Sequence, residues 1–128
     1  MSSGYRLLDF GQGRRLEAFG EVIVDRPCPV AERLAIAAPE DWASAQARFE
    51  RTGDEQGVWH VRDATPDRWE LAWQGLRVEL KRTDAGQVGL FPEQGDNWQW
   101  LARQVAAASA PLKVLNLFAY TGGSTLSA

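Results

Sequence analysis

The stretch that most narrows what this chain can fold into is Trp69-Glu70-Leu71-Ala72-Trp73, Gln74-Gly75, Leu76-Arg77-Val78-Glu79-Leu80-Lys81. Apolar residues alternate strictly on both sides of a Gln-Gly pair, and successive side chains of a strand point to opposite faces. A hairpin closed by a two-residue turn at Gln74-Gly75 sets Trp73 opposite Leu76, Leu71 opposite Val78 and Trp69 opposite Leu80. All six then share one face, with Arg77, Glu79 and Lys81 on the other. A slip of one residue would turn every one of them over, so the pattern fixes the register.

The same logic places further elements. Tyr5-Arg6-Leu7-Leu8-Asp9-Phe10 and Arg14-Arg15-Leu16-Glu17-Ala18-Phe19 flank the glycine-bounded loop Gly11-Gln12-Gly13 and read as a hairpin. A third strand, Glu21–Asp25, follows Gly20 and stops before Pro27 and Pro29, which cannot donate to a ladder. Pro39, Glu40 and Asp41 suit a first helical turn, and Trp42, Ala45 and Phe49 recur at helical spacing, predicting a short helix over 40–49. Gly86 to Gln94 brings glycines and a proline where extended chain gives way to a loop. Asp96 can cap a helix carrying Trp98, Leu101 and Val105 on one face, and Ser109-Ala110-Pro111 stops it. Leu112-Lys113-Val114-Leu115-Asn116-Leu117-Phe118 is apolar and of strand length, as for a parallel strand buried on both faces. It leads through Ala119-Tyr120-Thr121-Gly122-Gly123 into a helical turn at 124–128.

Bulk properties bound the rest. A chain of 128 residues has room for one domain, or for one small domain and part of another. No apolar run approaches the roughly 20 residues that span a bilayer. The N-terminus lacks the basic-then-apolar pattern of a secretory signal. One cysteine, Cys28, excludes an internal disulfide and agrees with a reducing cytoplasm. A net charge of −3 speaks against a free-standing nucleic-acid binder, although a local basic patch remains compatible with it.

An apolar strand, a small-residue loop and a helix together form the opening unit of nucleotide-binding α/β folds, in which backbone amides at the helix start face the ligand. Gly122 and Gly123 allow close approach, and Thr121 adds a hydroxyl. The spacing matches neither G-x-G-x-x-G nor a phosphate loop, and by itself leaves a ligand loop and an ordinary tight turn equally open. The residues themselves say more. Val114-Leu115-Asn116-Leu117-Phe118-Ala119-Tyr120-Thr121-Gly122-Gly123 resembles the first cofactor motif of bacterial class I S-adenosylmethionine-dependent methyltransferases of the 23S ribosomal RNA cytosine-5 type, whose loop reads N-x-F-x-Y-T-G-G. In that family a G-x-F-x-x-Q segment precedes the motif by one helix, and Gly89-Leu90-Phe91-Pro92-Glu93-Gln94 is similar to it. Leu16–Gly20 and Asp25-Arg26-Pro27 are similar to the β-rich front end of some members.

The resemblance implies that Phe118, Tyr120, Thr121, Gly122 and Gly123 surround S-adenosylmethionine, with Gln94 and Asn97 reaching it from the preceding segment. Two departures stand out. Asn116 occupies the strand end where many class I methyltransferases carry an acid, and Gly95 follows the glutamine where better-known relatives have arginine. The resemblance also implies that the nucleophilic cysteine of cytosine-5 methylation belongs to a later motif, so no catalytic residue is assigned within the chain.

Other candidates read as structural. His60 is the only histidine and lacks the partner that catalysis or metal binding needs, so no metal site is expected. Cys28 sits between prolines, far upstream of any catalytic position. Arg14 and Arg15, beside Arg6, suit either RNA phosphates or the solvated face of a hairpin. Trp98 and Trp100 suit either stacking on a base or on adenine or, more simply, packing, with Trp98 on the buried helix face and Trp100 partly exposed.

The expected fold is therefore α+β: a β-rich N-terminal module with one short helix over residues 1–94, followed by the truncated start of a Rossmann-like α/β methyltransferase domain over 95–128. The parent enzyme is expected to be cytoplasmic and to methylate a base, in ribosomal RNA. The chain would continue for roughly 150 to 200 residues, as one domain of that class requires, and these 128 residues alone are expected to be inactive. The rival readings are a self-contained RNA-positioning or other binding module without catalysis, and a nucleotide-binding fragment of unrelated chemistry.

Overall fold

A computed structural model describes residues 4–128. Strands β1 (Tyr5–Gly11), β2 (Arg14–Phe19) and β3 (Val22–Pro27) form an antiparallel meander. The first turn is the pair Gln12-Gly13, both left-handed at φ 50° and 76°, so Gly11 belongs to the strand rather than to a three-residue loop. This is the twist a two-residue hairpin turn requires. Strand β4 (Ala47–Arg51) lies parallel to β3, and β5 (Gly57–Val61) returns antiparallel to β4, giving the order β1-β2-β3-β4-β5. Strands β6 (Arg68–Trp73) and β7 (Leu76–Lys81) make a separate two-stranded sheet.

That hairpin has the register expected from its alternation: Trp69 faces Leu80, Leu71 faces Val78 and Trp73 faces Leu76. Gln74 and Gly75 at its tip have φ 50° and 79°. Its apolar face closes on the five-stranded sheet, where Phe19, Val22, Val24 and Ala47 meet Leu71, Leu80, Val88 and Leu90 in one core.

The helix expected over 40–49 does not form. Pro39–Ser44 is a 3-10 helical turn, and the chain then extends into β4. Ala47 and Phe49 are buried while Arg48 and Glu50 are exposed, a period of two that helical spacing of Trp42, Ala45 and Phe49 concealed. The edge of β3 on one side and β5 on the other supply ladder partners that local propensity does not register.

Four donors converge on Asp9, and the three of them that come from the long β3–β4 connection pin it to the sheet. A β-bulge lies between Leu7 and Asp9. The Asp9 carboxylate accepts from the backbone N–H groups of Phe10 (2.8 Å), Ala37 (3.2 Å) and Ala38 (3.0 Å) and from the Trp42 indole (2.9 Å). The Ala38 amide, then the Trp42 indole, hold its pKa down to about 2 from 3.8. A depressed carboxylate contributes stability above its unfolded pKa and loses it as pH falls through the folded one. The stability gap between the chain and Asp9→Asn should therefore be full above pH 5 and close between pH 4 and 2, as followed by urea unfolding at each pH. A gap independent of pH would exclude this role.

Helix α1 (Gly95–Ala106) follows a 3-10 turn at Pro92–Gln94. Asp96 lies inside its first turn rather than capping it, because the preceding turn runs straight into the helix and Gln94 already has helical φ and ψ. Trp98 is buried, Leu101 and Val105 are half-buried, and Trp100 is 56% exposed. A five-residue helix, α2 (Gly123–Ser127), ends the described chain.

The strand expected over 112–118 is absent: these residues have no ladder partner among the described residues and no regular structure. Leu115 is 82% exposed and Leu117 68%. A strand written for burial on both faces needs neighbours to complete its hydrogen bonds, and none of the seven described strands lies beside it. The α+β class and the β-rich module stand. A Rossmann-like strand–loop–helix start is not shown among the described residues.

Candidate functional site

The segment after β7 brings the two halves of the candidate site together. Lys81 N–H bonds to Val88 O at 3.0 Å and Thr83 N–H to Gln87 O at 2.9 Å, folding residues 83–87 into a tight turn. Val88 and Leu90 are then buried in the core, which fixes the residues that follow. Gly89, at φ 104°, turns its carbonyl to accept from the Thr121 hydroxyl at 2.7 Å. The Phe91 and Tyr120 rings stack at 4.8 Å with a 50° tilt. The Trp98 indole donates to Ser124 Oγ at 3.0 Å, and Asn116 Nδ2 donates to Thr125 Oγ1 at 2.8 Å. Three side-chain contacts therefore hold the 118–124 loop against residues 89–98 where strand pairing does not.

Between these segments lies a cavity of about 390 Å³. Of the seven residues assigned from sequence, Phe118, Tyr120, Thr121, Gly123 and Gln94 line it, and Gly122 and Asn97 do not. Asn97 instead donates to Gln94 Oε1 at 2.8 Å, which orients the Gln94 amide. The two glycines have different work. Gly122 has φ 92°, and a Cβ there would meet nothing within 4 Å, so the residue is needed for a left-handed backbone rather than for close approach. At Gly123 a Cβ would run into the Trp98 ring, so this glycine lets α2 sit on α1. Phe118 and Tyr120 also have positive φ, 57° and 50°, a conformation that is costly for aromatic residues and that clusters at functional loops. The Phe118 ring is fully exposed.

Sequence reading missed several lining residues, notably Leu90, Phe91, Glu93, Trp98 and Ser124. Phe91 and Glu93 stand inside the G-x-F-x-x-Q segment itself, so the motif already held that signal. Trp98 was open to a stacking role from the sequence, and Ser124 carried no signal, because its pairing with Trp98 depends on where two helices meet. An aromatic wall with a few amide and hydroxyl groups suits a ligand that is part planar ring and part polar chain.

Arg14 and His60 have partners within the chain. Arg14 is neither a phosphate contact nor a solvated residue: it donates to Asp25 Oδ1 at 2.6 Å and to Phe49 O at 2.7 Å. His60 lies exposed on β5 with Nε2 3.1 Å from Glu50 Oε2. Among the described residues no group of three or more His, Cys, Asp or Glu is placed to hold a metal ion. No helix among them is long and apolar enough to cross a membrane.

No family model and no curated protein matches the chain. Solved structures do. A SAM-dependent methyltransferase from Agrobacterium tumefaciens is 38% identical at a TM-score of 0.88, over 98% of this chain and 40% of that one. A protein from Streptococcus mutans provisionally described as a SAM-dependent methyltransferase is 16% identical at a TM-score of 0.66, over 98% of this chain and 35% of that one. A provisionally described methyltransferase complexed with SAH gives 15% identity and a TM-score of 0.66, with coverage of 98% and 35%. The last two show a shared fold alone. The chain thus spans 35–40% of the length of these three structures, and in both sequence and fold it resembles the N-terminal part of SAM-dependent methyltransferases.

Proposed function

We propose that this chain is the N-terminal part of a cytoplasmic S-adenosylmethionine-dependent methyltransferase acting on a base of RNA, ribosomal RNA of the cytosine-5 type being the substrate suggested by the N-x-F-x-Y-T-G-G loop. The observation that carries the reading is the cavity between residues 90–98 and the 116–124 loop, in a chain of which 98% aligns at 38% identity with part of a SAM-dependent methyltransferase. The division falls after Gln94, with the β-rich module before it and the cofactor region from 95 onward.

Phe118, Tyr120, Thr121, Gly123 and Gln94 would hold the cofactor, Asn97 would orient Gln94, and Gly122 would set the backbone of the loop. The sulfonium of S-adenosylmethionine makes its methyl group electrophilic. What these residues contribute is alignment, and holding reactants in line accounts for a large share of such rate enhancements. In an enzyme containing this chain, Gly122→Val forces a β-branched residue into φ 92° and displaces the loop. Calorimetric titration should show S-adenosylmethionine binding weakened at least about tenfold, a 1.4 kcal/mol effect within the range of such backbone strain. Equal affinity would remove the loop from the cofactor site.

The 128 residues by themselves are expected to transfer no methyl group. An α/β cofactor site is assembled at the carboxyl ends of several parallel strands, and residues 112–118 have no strand neighbour among those described. Labelled methyl transfer to ribosomal RNA above a heat-treated control would overturn this.

A further inference from the structure

A second cavity, a groove of about 840 Å³, opens where β1, the turn after β3 and the start of α1 meet. Leu7 pairs with Glu17, and the bulge before Asp9 brings Phe10 opposite Arg15, so Leu7 and Phe10 share the face that also carries Tyr5. The β6–β7 hairpin covers only the Tyr5 end of that face, where the Tyr5 and Trp73 rings meet edge-to-face at 5.9 Å. Leu7 and Phe10 are left half-exposed, as is Leu34 beside them, and Val30 is 91% exposed. Val30 stands on an anchored turn. The next residue, Ala31, is buried, and its carbonyl accepts from the Gly13 and Leu34 amides at 3.2 and 3.1 Å. Apolar side chains held out together around one groove mark an interaction surface. The charges bordering this surface are divided by sign. Arg6 lies on the sheet wall, and Glu93 and Asp96 lie on the wall made by the start of α1. None of these three forms an ion pair among the described residues.

We propose that this face is the contact between two copies of the chain, related by a two-fold axis that passes close to Phe10. A two-fold contact must be self-complementary, and this one is. The rotation sets the sheet wall of one copy against the helix wall of the other, so Arg6 meets Glu93 and Asp96 twice over. It also carries each Val30 into the opposite groove, against Leu7 and Leu34. A partner of one charge sign would be repelled by one of the two walls, whereas a second copy satisfies both. The bulge interrupts β1 as an edge strand, so the contact is side-chain packing rather than an extended ladder. Glu93 lines the smaller cavity as well, which places the second copy beside the segment that carries Gln94. The inference uses no residue assigned to the cofactor and stands apart from the methyltransferase reading.

The test is light scattering of the 128-residue chain after size exclusion, over a series of concentrations. The mass should rise to twice that of the chain and stop there. Phe10→Ala should raise the dimer dissociation constant at least about thirtyfold, the loss typical of a central interface side chain, while melting near the wild-type temperature. Arg6→Glu should weaken the dimer, and so should Glu93→Lys combined with Asp96→Lys, because each sets like charges against each other. An equimolar mixture of these two variants should dimerise again, since every charge of one copy then meets its opposite on the other. Leu115→Glu, at the exposed 112–118 segment, should leave the dimer intact. A monomer at every concentration would overturn the proposal and leave the remainder of a longer protein as the occupant of the groove. So would a mass that grows past the dimer, which a two-fold contact forbids. A mixture that stays monomeric, or a dimer lost in Leu115→Glu and kept in Phe10→Ala, would equally overturn it.

Discussion

Arg26→Leu should destabilise the chain by about 3–5 kcal/mol at neutral pH, as measured by urea unfolding. Glu17 is 0% exposed and Arg26 3%, and the two form a bidentate pair, Nε to Oε2 at 2.7 Å and Nη2 to Oε1 at 2.9 Å. Such fork-to-fork geometry is the strongest an ion pair adopts in proteins. Around it, the Tyr5 hydroxyl donates to Glu17 at 3.1 Å, and the Arg26 guanidinium lies over the Phe19 ring at 5.3 Å. Burial first, and the Glu17 charge second, push the Tyr5 phenol well above its usual range. Removing Arg26 leaves a carboxylate out of water with its main partner gone, whereas removing both charges leaves an apolar gap. Glu17→Met combined with Arg26→Leu should therefore recover most of the loss. A double variant as unstable as the single one would show that packing, not the uncompensated charge, sets the cost. Arg26 also donates to Gly86 O and Gln87 Oε1, both at 3.3 Å. These bonds tie the five-stranded sheet to the turn that delivers residues 89–94 to the candidate site, so the single variant should loosen that segment as well.

Phe49→Ala should cost a further about 3–5 kcal/mol, the usual price of emptying a buried phenylalanine site. Phe49 is 0% exposed and packs on the Trp59 ring at 5.1 Å. Two glycines make room for it. A Cβ on Gly86 would lie 2.6 Å from Phe49 Cε1, and one on Gly57 would collide with the ring and with Glu50 O. Gly86 is also left-handed, at φ 84°. Gly86→Ala should therefore destabilise through both strain and overlap, and less so in a Phe49→Leu background, where the overlap is relieved and only the strain remains. Residues in contact are expected to couple in this way. An identical effect of Gly86→Ala in both backgrounds would remove the steric part of the explanation. Against a typical domain stability of about 5–15 kcal/mol, either of the two principal substitutions should shift the unfolding midpoint strongly.

What the sequence determined by itself was whatever rests on local pattern. Strict alternation around Gln74-Gly75 fixed a hairpin and its register, because a one-residue slip exposes six apolar side chains. The strands at 5–10 and 14–19 were legible as apolar runs about glycines. The third was legible too, although it runs on to Pro27, paired with Arg14, past the point where the prolines suggest an end. Trp98 marked the buried side of a helix by its spacing, and the wording of residues 114–123 marked a loop of which Phe118, Tyr120, Thr121 and Gly123 line a cavity. Tertiary structure alone decided the rest. Residues 47–51 became a strand because β3 and β5 offered ladder partners, although Trp42, Ala45 and Phe49 are spaced for a helix. Residues 112–118 have strand composition but pair with no strand among the described residues, since a ladder needs neighbours that composition does not supply. Arg14, which in sequence suited RNA or solvent, is committed to Asp25 across the sheet. Gly122 and Gly123 look interchangeable in sequence, yet one serves a backbone angle and the other the passage of a tryptophan ring. Local pattern encodes which face a residue presents. Which partner meets that face is set by chain segments far away in sequence, and only packing brings them together.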